Sequence, residues 1–459
     1  MRRFTSITCF SLLLSVFTPS AQAQNVQWTI SKNQFNIDTA GFVSPNSVQP
    51  GERVNAYVTC PKGNFTLTAY RMGYYGGVGA KAYWSSKSIS CVKQAAQTID
   101  SNTHLSESHW KTNTQIPTAG LAPGFYLIKI SSSNSHEAFM SLVVRQHDAV
   151  GRVVFAIPTM TSLAYNTWRG VNAYRGKTGF GDRARVFSFD RPNDWGYGSG
   201  KYLNYIHPLL VIADHIGLNI DYVTDVDVST IPNLLNGARA YISPGHDEYW
   251  TGKERTTVEN ARAHGTNLLF FGANVAYWQT RLTTSSLGAN RQMILYKSAT
   301  EDPNKINPTI RFRNLDRPES ILTGLKYNCY PAKGDFTVLA PQPFIFKGTG
   351  VRAGEKFHGI IGPEVDHLET PSHFVGQTQV VAKSTITCGT LAKRSTSSIM
   401  LYGVSPSGAG TISVGTMRWV ERGLTHDVPP RTQTFVTQVT QNILVAASKG
   451  PLGLTYPLK

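Results

Sequence analysis

His246, Asp247 and Glu248 stand together within residues 242–250, Ile-Ser-Pro-Gly-His-Asp-Glu-Tyr-Trp. Side chains of these types at one point can move a proton or hold a cation. The apolar run 238–242 before them stops at Pro244-Gly245. A buried strand that ends in a glycine turn and hands over to charged and aromatic residues has the layout of an α/β site, where ligands lie beyond the carboxyl ends of the strands. The same acids would also serve simply to complement the dipole of a following helix. Residues 268–278, Leu-Leu-Phe-Phe-Gly-Ala-Asn-Val-Ala-Tyr-Trp, repeat the layout, with Gly272 at the stop and Asn274 after it. Two successive strand ends of this kind point to one shared pocket.

The elements that must position these residues begin near Gly151. Val153 to Pro158 reads as a buried strand, residues 202–216 have helical spacing, 221–224 a short strand, and then come the two strands above. Strand and helix alternating in this order predict a parallel, doubly wound sheet. From about Ile310 the pattern turns strand-rich, including Gly-Ile-Ile-Gly-Pro-Glu-Val-Asp at 359–366, and a closing helix is expected over 432–447. Residues 24–148 read instead as all-β. Short apolar or alternating segments at 53–58, 65–71, 124–130 and 138–145 are separated by Gly, Pro, Ser and Asn, at the spacing of an immunoglobulin-like sandwich. Within it, Tyr70-Arg71-Met72-Gly73-Tyr74-Tyr75-Gly76-Gly77 reads as an interface, with a binding surface as the alternative.

At 459 residues the chain has room for roughly two or three domains. Residues 1–23 are expected to be an export signal: Arg2 and Arg3, an apolar stretch, then Ala21-Gln22-Ala23, with cleavage near Ala23. No stretch reaches the roughly 20 apolar residues of a spanning helix. The mature chain then keeps Cys60, Cys91, Cys329 and Cys388, an even count for an oxidising compartment, periplasmic or secreted. Pairing Cys60 with Cys91 and Cys329 with Cys388 keeps each bridge within one candidate domain. The formal charge of +16 falls to about +14 without Arg2 and Arg3, but it is spread along the chain rather than clustered, which argues against nucleic acid as a partner.

Several hydrolytic chemistries lose support together. Gly176-Lys177-Thr178 lacks a glycine at the phosphate-loop spacing, since Gly170 is one residue too far; no GxSxG and no HExxH occurs. What remains is tyrosine. The first strand of the second unit is followed by Ala164-Tyr165-Asn166 and then Tyr174. A phenol, with an ordinary pKa near 10, is a metal ligand only where a strongly charged ion holds it as phenolate. Hard anionic oxygens of this kind suit a hard cation such as ferric iron.

Ala-Tyr-Asn at 164–166, Ser-Phe-Asp-Arg-Pro at 188–192, Asp-Tyr-Val-Thr-Asp-Val-Asp at 221–227, Gly-His-Asp-Glu-Tyr-Trp and Gly-Ala-Asn-Val-Ala-Tyr-Trp together resemble the C-terminal domain of the N,N-dimethylformamidase large subunit. The resemblance covers roughly residues 150–445. It implies a class I glutamine-amidotransferase-like α/β domain over 150–459, without that fold's cysteine, and a mononuclear iron, Fe(III), held by two tyrosines and one glutamate. By position, Glu248 matches the glutamate ligand, His246 a histidine beside the metal, Asn274 the active-site asparagine and Tyr165 the first tyrosine. Tyr174 is taken as the second, with Tyr197, Tyr202 and Tyr205 as competitors, because the enzyme carries an insertion between its two tyrosines that this chain lacks.

The resulting expectation is an exported iron-dependent hydrolase of a small-molecule or secondary amide. His246 and Asn274 are its catalytic residues; Tyr165, Tyr174 and Glu248 are its metal ligands. Assembly as a homo-oligomer stays open. The alternative from a different class is a non-catalytic or carbohydrate-directed surface protein, in which the same aromatics stack on sugar rings.

Overall fold

A computed structural model of the protein describes residues 27–458. The expected export signal and its cleavage site lie outside the described residues. The all-β segment forms two facing sheets. One contains Ala40–Ser44 (β1), Val54–Thr59 (β2) and Thr114–Ile116 (β5); the other contains Asn64–Met72 (β3), Ala80–Ser85 (β4), Gly124–Ser132 (β6) and Glu137–Val144 (β7). Val54, Ala56 and Val58 of the first sheet meet Leu67, Ala69, Ile128, Ile130, Met140 and Leu142 of the second, alternate residues filling one core. At the start of β6 the Tyr126 hydroxyl donates to the Ala122 carbonyl at 2.6 Å, a tie seen at strand corners of such sandwiches.

The other face of β6 and β7 is buried too. Phe125, Leu127, Phe139 and Val143 join a core with Leu209, Leu210 and Tyr222 of the following unit, which is why β6 reads as a continuous apolar run. The Tyr70–Gly77 segment lies on this seam. The Tyr74 amide donates to Asp214 at 2.7 Å, its ring packs 3.9 Å from that of His215, and Phe125 stacks on Tyr202 at 4.0 Å. It is therefore an interface within the chain.

The second unit is built on one large sheet. Val153–Ile157 (β8) lies between Ile220–Thr224 (β9) and Ala240–Gly245 (β10), followed by Asn267–Gly272 (β11) and Gly410–Ser413 (β14); these five strands are parallel. Arg394–Val404 (β13) and Gln377–Cys388 (β12) extend the sheet antiparallel. Counted in chain order the parallel strands run 2-1-3-4-5, so the order reverses between β8 and β10. Crevices at such a reversal are where ligands bind in open α/β sheets. Alternate residues serve opposite faces: Phe155, Ile157, Ile242 and Leu269 pack with helices His207–His215 (α2) and Pro430–Ala447 (α5), while Val154, Ala156, Tyr241 and Leu268 pack with Asp225–Thr230 (α3) and Gly252–Ala263 (α4). Helices thus cover both faces.

Two local readings are corrected. Residues 202–216 are not one helix but Tyr202–Tyr205 and α2, because Pro208 lacks an amide hydrogen and must open a helix rather than continue one. The acids at 247 and 248 do not cap α4. Thr251 and Glu254 do so reciprocally, as a capping box, which leaves His246-Asp247-Glu248 free for another use. Cys60 is bonded to Cys91 and Cys329 to Cys388, as keeping each bridge within one unit suggested.

Candidate metal centre

The five residues expected at the site, Tyr165, Tyr174, His246, Glu248 and Asn274, all follow the carboxyl ends of β8, β10 and β11. After β8 the chain turns at Pro158 into Thr159–Tyr165 (α1), whose last residue is Tyr165. Tyr174 follows on a loop pinned by the buried Asn172 side chain, which accepts the amides of Tyr174 and Arg175 at 2.9 and 3.0 Å. β10 ends at Gly245, where φ is 54° and an added Cβ would sit 2.3 Å from the Tyr205 carbonyl; only glycine fits. The next residues are tied to α1, since the Thr161 hydroxyl accepts the amides of Glu248 and Tyr249 at 2.9 and 3.2 Å. Asp247 turns back into the sheet and accepts from Ser243 at 2.7 Å. His246 and Glu248 face Tyr165 instead, and Glu248 also meets Tyr174.

Three oxygens meet there. The Tyr165 hydroxyl is 2.7 Å from Glu248 Oε2 and 2.8 Å from the Tyr174 hydroxyl, which is itself 2.9 and 3.1 Å from the two Glu248 oxygens. Tyr249 adds a third phenol, 2.5 Å from that of Tyr174. Neither imidazole nitrogen of His246 makes a formed hydrogen bond, although Nε2 lies 3.3 Å from Glu248 Oε2 and 3.8 Å from Glu364 Oε2. Asn274, at the end of β11, donates from its amide to Asp366 at 2.9 Å and from Nδ2 to Glu364 at 2.8 Å, and its Oδ1 has no partner. Its φ is 59°, a left-handed conformation that costs a non-glycine residue energy and clusters at functional sites.

Two lysines and a second glutamate complete the electrostatics. Lys297 donates to the Tyr249 hydroxyl at 2.8 Å and lies 3.6 Å from the ring centre of Tyr174; burial pushes it down to about 7. Lys201 lies 4.1 Å from the ring centre of Tyr165, and burial lowers it as well. Burial and then the charge of Glu248 push Glu364 up to about 8. Burial also works against ionised Glu248, but the neighbouring His246 and Lys297 and the Tyr165 hydroxyl outweigh it and hold that carboxyl below the ordinary range. Burial and the Glu248 charge raise both Tyr165 and Tyr174 well above the ordinary phenol range. Left to the protein alone, the phenols keep their protons and donate them to Glu248.

The donor set nonetheless fits a hard cation. Oxygens about 2.0–2.1 Å from one ion and at right angles to each other are about 2.9 Å apart, and the Tyr165, Tyr174 and Glu248 Oε2 oxygens are 2.7–3.1 Å apart. Among the described residues no group of three or more His, Cys, Asp and Glu side chains is placed to hold a metal ion, so a centre here depends on the phenols. The competing tyrosines do not bring their hydroxyls to these oxygens, although the Tyr205 ring lies 5.8 Å from that of His246. Tyr197 packs on Phe35, Tyr202 on Phe125, and Tyr205 donates to Glu421 at 3.3 Å.

The family described as N,N-dimethylformamidase beta subunit-like, C-terminal, matches residues 66–429. The chain belongs to this family. The match to the dimethylformamidase-like family begins within β3, well before the residue 150 expected from the motifs, and it ends at residue 429, just before α5. Strands β6 and β7 share a core with the sheet unit, so family likeness extending into the sandwich is physically reasonable. A search of curated proteins finds no match. Among solved structures, a Paenibacillus sp. cycloisomaltooligosaccharide glucanotransferase complexed with cycloisomaltoheptaose aligns over 89% of this chain and 80% of its own at 8% identity, with a TM-score of 0.20; so low a score says nothing about fold or activity.

Sequence reasoning on this dimethylformamidase-like chain missed Glu364, Lys297, Lys201 and Tyr249. Glu364 did have a signal: an acid set in the glycine-bounded apolar run 359–366. Lys297 had none, because it reaches the site through a turn at φ 57° after the strand Gly288–Ile294.

Proposed function

We propose that the protein is an exported, iron-dependent hydrolase of a carbon–nitrogen amide bond, on a domain of glutamine-amidotransferase-like type. The observation that carries the reading is the meeting of Tyr165, Tyr174 and Glu248 at 2.7–3.1 Å where the strand order of the sheet reverses. In this reading residues 24–148 are an immunoglobulin-like domain and 150–459 the dimethylformamidase-like unit. Two disulfides and an expected leader support export to the periplasm or beyond. No helix among the described residues is long and apolar enough to cross a membrane.

Tyr165, Tyr174 and Glu248 would hold a single ferric ion. Bound there, it supplies Lewis acidity toward a substrate carbonyl. The protein's own groups do the rest. His246, kept neutral by burial, has Nε2 between Glu248 and Glu364 and is placed to take a proton from an attacking water. Glu364, raised to about 8, holds a proton at neutral pH and can pass it to the leaving nitrogen. The Asn274 Nδ2, now on Glu364, is the donor available to an oxygen that gains charge.

The test is turnover. Iron-loaded protein is assayed on small N-alkyl amides and on larger secondary amides, with release of amine and acid as the readout. Hydrolysis of at least one class, lost on metal removal and regained with iron, is expected. If the iron-loaded protein hydrolyses none and instead retains a polysaccharide, the carbohydrate-directed reading replaces this one.

A further inference from the structure

A cavity of about 110 Å³ lies on the seam between the sandwich and the sheet unit, room for several waters or one small organic molecule. Phe125 and Met140 wall it from the sandwich; Ser162, Arg191, Asn193 and Lys201 wall it from the other side. It has two cations in its lining and no Asp or Glu. Both cations are deeply buried, Arg191 at 4% and Lys201 at 7% exposure.

Neither is satisfied by a carboxylate. Arg191 donates from Nη2 to the Asn166 carbonyl at 3.1 Å, while its Nε and Nη1 have no hydrogen-bond partner. The acid whose charge acts on it, Asp194, accepts from the amide and hydroxyl of Thr167. Lys201 Nζ sits over three rings, 4.1 Å from the centre of Tyr165, 4.8 Å from Trp195 and 5.1 Å from Tyr205, and among the described residues it forms no ion pair. Glu248, Glu364 and Glu421 act on it from outside the cavity lining. Burying a guanidinium with two of its nitrogens unpaired beside this cavity, next to an ammonium that forms no direct ion pair, is costly, and an anion bound in the cavity removes much of the cost.

We propose that this cavity binds a small organic carboxylate, its head between Arg191 and Lys201 and its short apolar body against Phe125 and Met140. The mixed lining favours such a molecule over inorganic phosphate, which would leave the apolar wall without a partner. Because Lys201 also covers Tyr165, the cavity adjoins the candidate metal centre. Amide hydrolysis releases a carboxylic acid, so the site would lie beside the product's exit if the proposed function holds. Binding itself does not depend on that function.

The experiment is calorimetric titration of the metal-free mature protein with propionate, propionamide and inorganic phosphate at constant ionic strength. Saturable propionate binding is expected, with none for the neutral propionamide and weaker binding of phosphate. Lys201→Met keeps an apolar stem among the rings and should weaken propionate about tenfold or more, the scale of losing one charge-assisted contact. Arg191→Lys, which keeps a charge but loses the guanidinium geometry, provides the same comparison if Lys201→Met does not fold. No saturable binding, equal binding of propionamide, tighter binding of phosphate, or unchanged affinity in a folded variant each overturns the proposal. None of these readouts involves iron or turnover, so failure here and failure of the hydrolase reading are separate results.

Discussion

The Tyr165 hydroxyl donates to Glu248 Oε2 at 2.7 Å, across 83 positions of sequence. The contact joins the end of the first βα unit of the sheet to the turn after β10. Thr161, one turn earlier on the same face of α1, braces the junction by accepting the Glu248 and Tyr249 amides.

Glu248→Gln removes the one carboxylate of the proposed ligand set but keeps its shape. The variant should fold with wild-type circular dichroism and bind little or no iron. Chelation should lower the melting temperature of the wild type and leave the variant unchanged, because a bound ion stabilises only the state that binds it. Loss of soluble protein would make Glu248 a structural partner instead.

His246→Ala and Asn274→Gly should separate chemistry from metal binding. Both are expected to keep iron and its colour while amide turnover falls about 100-fold or more, the scale of losing a positioned base or oxyanion donor. Glycine is chosen at 274 because φ there is 59°, where alanine would add backbone strain. Metal analysis beside steady-state rates checks the split, and iron lost together with activity would count against it.

Asp221 gives a pH dependence independent of the metal site. It is fully buried, one oxygen accepts the Gln146 amide at 2.7 Å, the other has no partner, and burial pushes it up to about 6. The unfolded value is about 3.9, so between about 4 and 6 the folded state holds more protons and wild-type stability falls as pH rises. Asp221→Asn cannot lose a proton. Denaturant titrations should show the variant gaining on the wild type, by on the order of 2 kcal/mol, as pH rises from about 4 to about 6, with the difference level above that. A pH-independent difference would mean that Asp221 does not titrate in this window.

The disulfides close loops with separations of 31 and 59 residues. In the chain-entropy account each contributes about 4 kcal/mol. Replacing Cys60 and Cys91, or Cys329 and Cys388, by serine pairs should lower unfolding free energy by about that amount. Peptide mapping under non-reducing conditions should recover both bridges uncrossed.

The two strand ends were legible because strand, glycine stop and polar tail are local patterns: His246 and Glu248 after β10, and Asn274 after β11. The parallel sheet was legible for the same reason, since each β–α alternation lies within a few tens of residues. Glu364 was not, because it comes to Asn274 from 90 positions away on a short irregular segment, and nothing local to 359–366 says where that segment lands. Tyr174 was visible from its place after the first strand, but its choice as the second ligand came only with the resemblance. Its separation from Tyr197, Tyr202 and Tyr205 came from tertiary contacts, each competitor being held by a different partner.

Metal analysis and the visible spectrum of the mature protein, purified aerobically from iron-replete medium, test the central claim most directly. About one iron per chain, with a broad phenolate-to-iron absorption that disappears in Tyr165→Phe and Tyr174→Phe, is the predicted result. A colourless protein that holds zinc or no metal would contradict the account.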